Sequence, residues 1–291
     1  MQLMSVEVGG MMTAGVVALV AGLLFVWPRF QAATGVGRVL VLGPVFEAVA
    51  LSIFAAEHFT AARSLMAIVP RWLPTPLFWT YLVGVALLAA AVSFIAWRHV
   101  RWSATLLAAF FLIIVATIDL PNLPGNAHDR LFWTLTARES SFAAGAMVLA
   151  GSTWPRGRGP GETLMFLGRL VLACTFVFYA IEHFLFPQFV PGVPLEKLTP
   201  AWIPALTLIA YFVGGILLLA GAGLIFRPSV RLAAATAGTV LALLTVFFYG
   251  PILAIEIHSP LAVEGLNYVG DTLLFAATAL LAGFGTGSTA A

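Results

Sequence analysis

The sequence predicts an all-α, polytopic membrane protein of nine transmembrane helices, one extra N-terminal helix followed by two parallel four-helix repeats. Three observations carry this. Hydrophobic residues are 61% of the 291-residue chain and charged residues 9%, where a soluble domain carries about 25% charge. The apolar runs are about 20 residues long, enough to cross a hydrocarbon core of roughly 30 Å, and they lack the alternation of barrel strands. The second half of the chain also repeats the motifs of the first in the same order.

The first apolar run covers residues 9–27 and ends at Trp27-Pro28-Arg29. The stretch Met1 to Gly10 has no Lys or Arg and carries Glu7, the wrong charge for a signal peptide, so this run is expected to stay as an extra helix. Breaks at Pro, Gly and charged residues then separate runs near 39–59, 76–97, 102–120 and 131–151, and near 163–185, 202–226, 230–250 and 266–284. The resulting division is an N-terminal segment 1–35, a first unit 36–152, a Gly-rich linker 153–162 containing Arg156 and Arg158, and a second unit 163–291.

The units match motif by motif. Glu57-His58-Phe59 pairs with Glu182-His183-Phe184, Pro70-Arg71-Trp72-Leu73-Pro74 with Pro200-Ala201-Trp202-Ile203-Pro204, and Tyr81-Leu82-Val83-Gly84 with Tyr211-Phe212-Val213-Gly214. Arg101, Pro121 and His128 fall opposite Arg231, Pro251 and His258. After a small slip, Glu139 falls opposite Asp271 and Gly151 opposite Gly283. An even number of spans per unit gives both copies the same topology, related by an axis along the membrane normal.

Arginines at 29, 38, 98, 101, 156, 158, 169, 227 and 231 fall on one side of this topology. That side is expected to be cytoplasmic, with the N-terminus outside and the C-terminus inside. The opposite side holds mainly Arg63, Arg71, Arg130 and Lys197, with Arg138 further into a span. The net charge of +2 and pI near 9.0 therefore read as orientation signals and not as a patch for an acidic partner. No phosphate-cradling loop, dinucleotide fingerprint or haem-attachment motif is present, so neither nucleotides nor nucleic acid are expected partners. The lone Cys174 allows no intrachain disulfide or thiolate cluster.

Four of the five histidines, His58, His128, His183 and His258, fall at the outer face with several carboxylates. The first set is Glu57, His58, His128 and Glu139; the second is Glu182, His183, His258 and Asp271. Two imidazoles and two carboxylates suit a divalent transition metal. They equally suit a proton-accepting quinol site, to which Tyr81 and Tyr211 would add a hydroxyl each. A Glu-His pair that caps its helix and holds the outer loop is the third reading. Trp72 and Trp202 are expected as headgroup-level anchors within a proline-shaped turn. Gly84 and Gly214 are expected at close helix crossings. Glu47, with no acidic counterpart in the second unit, is expected to face the bundle interior. Glu139 follows Arg138, which allows a local ion pair, although adjacent helix positions diverge by about 100° and make direct contact poor.

Each unit resembles the DoxX-like membrane proteins of bacteria and archaea. The resemblance rests on Glu-His-Phe near the end of helix one, Trp-x-Pro before helix two and Tyr-x-x-Gly within helix two. It covers residues 39–151 and 163–284, leaving the first span and linker outside. It implies a four-helix fold per unit, a place in a prokaryotic plasma membrane and quinone-linked redox work beside other membrane redox subunits. It assigns no catalytic residue, and two fused units depart from the usual single-unit form. The expected function is an integral membrane redox subunit, with a non-catalytic scaffold and a small-molecule transporter as alternatives.

Overall fold

The computed structural model describes residues 5–155 and 159–285. Arg156 and Arg158 of the expected linker, and both chain ends, lie outside the described residues. The described residues are helical throughout, apart from turns and one isolated bridge between Phe189 and Leu198.

The long helices are α1 Val6–Ala32, α2 Gly43–Thr60, α3 Pro76–Ala96, α4 Val100–Ile114, α5 Arg130–Ser152, α6 Gly161–Leu185, α7 Leu206–Ile225, α8 Val230–Leu244 and α9 Ala262–Leu281. Seven stretches are long and apolar enough to cross a membrane: α1, α3, α6, α7, and the stretches Gly37–Thr60, Val100–Asn122 and Val230–Glu256 around α2, α4 and α8. The chain is thus a multi-pass membrane protein by length and composition, and lipid is its solvent. Helices α5 and α9 are as long as the others but carry Arg138 and Glu139, and Glu264 and Asp271. Their polarity follows from their place, since these two helices are the packed centre. Ala143, Ala144 and Ala146 of α5 and Ala276, Ala277 and Ala279 of α9 are all inaccessible or nearly so. A Cβ on Gly145 would sit 2.6 Å from the Thr278 side chain, the close approach that small residues permit between membrane helices.

Around that centre, each helix from α2 to α9 packs on the next in sequence, and α9 returns to α2. The contact of α5 with α9 pinches this ring into two lobes. Lobe one is α2 to α5 closed by α9, and lobe two is α6 to α9 closed by α5. Helix α1 lies outside, with Val8, Met11 and Ala18 packed with Val49 and Ile53 of α2 and Ala262 and Leu266 of α9. It continues through Pro28 to Ala32 instead of stopping at Trp27. Arg29 there lies 4.0 Å over the Trp97 ring, a cation–π contact that supports the last turn.

Two π-helical turns, Val115–Asp119 and Thr245–Tyr249, occur at matching places in the two lobes, each just before a proline. Pro121 and Pro251 lack the N–H that an α-helix would use, and their rings crowd the preceding turn. A widened turn relieves both problems, and such turns are frequent at functional sites.

Candidate functional site

The motifs that match between the two halves interlock in the same way in each lobe. A Cβ on Gly84 would lie 2.9 Å from the His58 Cβ, and one on Gly214 would lie 3.0 Å from the His183 Cβ. Tyr81 then meets the Phe59 ring at 6.3 Å, and Tyr211 meets Phe184 at 5.8 Å. Both tyrosines are exposed, as belt residues are. Trp72 and Trp202 are exposed as well, in keeping with an anchoring position.

The two histidines share one contact and differ in another. His58 Nδ1–H donates to the Phe54 carbonyl at 2.7 Å, and His183 Nδ1–H donates to the Tyr179 carbonyl at 2.6 Å. His183 Nε2 also accepts the Gly192 N–H at 2.9 Å, so the ring is a neutral imidazole with both nitrogens in use. His58 Nε2 has no partner among the described residues.

The segment that reaches His183 was not foreseen from the sequence. Residues 190–195, Val-Pro-Gly-Val-Pro-Leu, are non-helical and buried, and they plug the end of lobe two. Non-helical backbone inside a membrane bundle requires its polar groups to be paired. Pro191 and Pro194 remove two donors outright. The Gly192 N–H goes to His183 and the Val190 N–H to the Lys197 carbonyl at 2.9 Å. Tyr249, in the second π turn, donates to the Pro191 carbonyl at 2.6 Å. Arg130 donates to the carbonyls of Pro194 and Leu195. Gly192 has φ +102°, a backbone conformation that glycine tolerates best. Lys197 fixes the far end through Glu256 at 3.0 Å and Glu264 at 3.2 Å. The visible signal was a spacing: five more residues separate Glu-His from Pro-x-Trp-x-Pro in the second half than in the first.

The carboxylates are exchanged between the two halves. Glu57 of α2 accepts from Asn267 of α9 at 2.9 Å. Glu182 of α6 accepts from Thr134 of α5 at 2.7 Å and pairs with Arg130 at 3.3 Å. The last helix of each half therefore serves the Glu of the other half. Between these pairs, Arg138 holds Asp271 at 2.9 Å and Glu139 at 2.7 Å. The local Arg138–Glu139 pair forms despite their adjacency, because the long guanidinium side chain spans the angle between neighbouring helix positions. Asp119, at the first π turn, lies within electrostatic reach of Arg138 and Glu139, and its Oδ2 is buried without a partner, as is Asn267 Oδ1.

Neither expected metal set is assembled. Among the described residues no three His, Cys, Asp or Glu side chains form a group that would hold a metal ion. In the first set, His128 is exposed in a loop, Glu57 turns to Asn267 and Glu139 to Arg138. In the second, His258 is exposed, both ring nitrogens of His183 are bonded within the chain, Glu182 Oε2 is held by Thr134 and Arg130, and Asp271 is paired with Arg138. Glu47 does face the interior, fully buried, with neither oxygen partnered.

A family model described as a domain of unknown function, DUF8561, matches residues 47–120, the stretch from Glu47 through α2, α3 and α4 to the first π turn. No curated protein and no solved structure matches the chain.

Proposed function

We propose that the chain is an integral membrane subunit of a redox system, built from two parallel four-helix units with all nine long helices crossing, in which the first unit alone keeps a working site. The observation that carries this reading is the difference between the two histidines. His183 Nε2 is occupied by the chain's own Gly192 N–H, whereas His58, anchored through the same Nδ1 contact, leaves Nε2 without a partner. The reciprocal carboxylate contacts and the matched π turns support the two-unit layout. The arginine-rich end then faces the cytoplasm, and the Glu-His end faces outside.

The open Nε2 is an acceptor, so its ligand presents a hydroxyl or N–H. A quinol suits it: the Phe54 carbonyl holds Nδ1–H and fixes the tautomer, and Nε2 accepts the hydroxyl and takes its proton. Oxidation of a quinol releases two protons and two electrons. One proton goes to His58, the other to solvent, and the electrons to the redox centre of a partner subunit. This agrees with the DoxX-like resemblance of each unit.

The test is titration of the purified chain with a short-chain quinol. His58→Ala should weaken binding at least tenfold, and His183→Ala should lower thermal stability while leaving binding near the parent value. Equal binding by the parent and His58→Ala would overturn the reading. His183, with both ring nitrogens bonded within the chain, favours one other reading, a scaffold subunit without chemistry. That reading requires a stable partner to co-purify and function to survive the double substitution Glu57→Gln with His58→Ala.

A further inference from the structure

At the opposite, arginine-rich end, a cavity of about 300 Å³ opens between the α3–α4 turn and the end of α5, lined by Trp97, His99, Val100, Arg101, Trp102 and Thr153. Its chemistry is one-sided. Arg101 is half-buried and makes no side-chain hydrogen bond or ion pair with any described residue. It is held instead 4.9 Å over the ring of Trp154, whose own indole Nε1–H is buried without an acceptor. The cavity is thus lined by a guanidinium whose donors meet no acceptor among the described residues.

The backbone that shapes the cavity is held in an unusual form. Trp97 has φ +51° and His99 φ +59°, two non-glycine residues in the left-handed region within three positions. Such conformations cost free energy and persist where the surroundings impose them. The matching turn before Val230 has no residue of positive φ, and Arg231 there packs against Gly37. The strained turn that shapes the cavity is therefore not repeated before Val230.

The level of the site identifies the source of its ligand. Trp102 is 68% exposed at the mouth, the position of an interfacial tryptophan, and Leu106 and Ile113 of the same helix are exposed below it. Among the described residues, Arg29, Arg38, Arg98, Arg101, Arg169, Arg227 and Arg231 fall at this end of the topology, with Glu162 as a lone carboxylate among their loops. We infer that this cavity binds the phosphate headgroup of an anionic glycerophospholipid, with Arg101 as its principal cation and the acyl chains lying along α4. Guanidinium suits a phosphate through two parallel hydrogen bonds, and basic pockets between membrane helices are a recurrent form of anionic-lipid site.

The test uses the full chain purified in a neutral detergent, with native mass spectrometry counting bound lipid and thermal unfolding as a second readout. Phosphatidylglycerol should be retained and should raise the unfolding temperature, while phosphatidylcholine should do neither. Arg101→Gln should weaken phosphatidylglycerol retention roughly fivefold to tenfold, and Arg101→Lys should restore part of it. Arg227→Gln removes the same charge at the same end but outside the cavity, and should retain lipid like the parent. Equal losses from Arg101→Gln and Arg227→Gln would reduce the effect to bulk charge and overturn the site. Stabilisation by inorganic phosphate equal to that by phosphatidylglycerol would overturn the assignment to lipid.

Discussion

Replacing Arg130 by alanine removes the donor that holds two plug carbonyls, Pro194 and Leu195, and that pairs with Glu182. A hydrogen bond to a charged group contributes about 1.5–3 kcal/mol, so two such bonds set a gross loss of about 3–6 kcal/mol. The Arg130 side chain is 16% exposed, so water replaces part of what is lost, and Thr134 still serves Glu182. The net cost to the plugged state is then about 3 kcal/mol. At 1.36 kcal/mol per tenfold change this is a rise of about 150-fold in the open population. Cysteine labelling reads that population directly. In a Cys174→Ala background, Val193→Cys places a thiol at a position that is 0% exposed, and maleimide reacts only when the plug leaves. Arg130→Ala should raise the labelling rate about 150-fold, and Arg130→Lys, which keeps the charge but loses the fork, should fall between. Equal rates with and without Arg130, in protein of unchanged helical content, would refute the view that this arginine holds the plug.

Three further outcomes are expected. Gly214→Ala should lower the detergent unfolding temperature because its Cβ meets the His183 Cβ at 3.0 Å. The neighbouring Gly215→Ala, with nothing within 4 Å, should raise stability by up to about 1 kcal/mol from helix propensity alone. Arg138→Gln should destabilise by about 3–5 kcal/mol in chemical unfolding, since it leaves Asp271 buried and Glu139 half-buried without a cation, and adding Asp271→Asn should recover part of that loss. Glu47→Gln should leave thermal stability unchanged or higher, because the carboxyl has no partner to lose. A clear drop would mean that Glu47 binds something outside the chain.

What the sequence showed and what it hid follow from the kind of signal each feature leaves. Hydropathy marks long apolar helices, and repeated short motifs survive as exact matches. The Gly84-His58 and Gly214-His183 packing therefore lies under motifs readable from residues alone, although the contact itself does not. Glu139 and Asp271 align in sequence, but that they share Arg138 depends on how α5 and α9 cross. Helices α5 and α9 dilute their own hydropathy because the centre of a bundle admits paired charges that lipid excludes. The plug leaves a change of spacing and a proline-rich apolar hexapeptide, signals too weak to separate a buried segment from an ordinary loop. Asn267 left none, since one amide in a span has no period or motif.

The exchange of closing helices also governs how the molecule is made. Glu57 meets its amide partner 210 residues later, so lobe one lacks a wall until the last helix leaves the ribosome. Folding that proceeds one domain at a time from the N-terminus would leave lobe one open on this side until α9 is made. A chain cut between α5 and α6 would accordingly be expected to assemble only when both pieces are made together, each piece holding the wall the other needs.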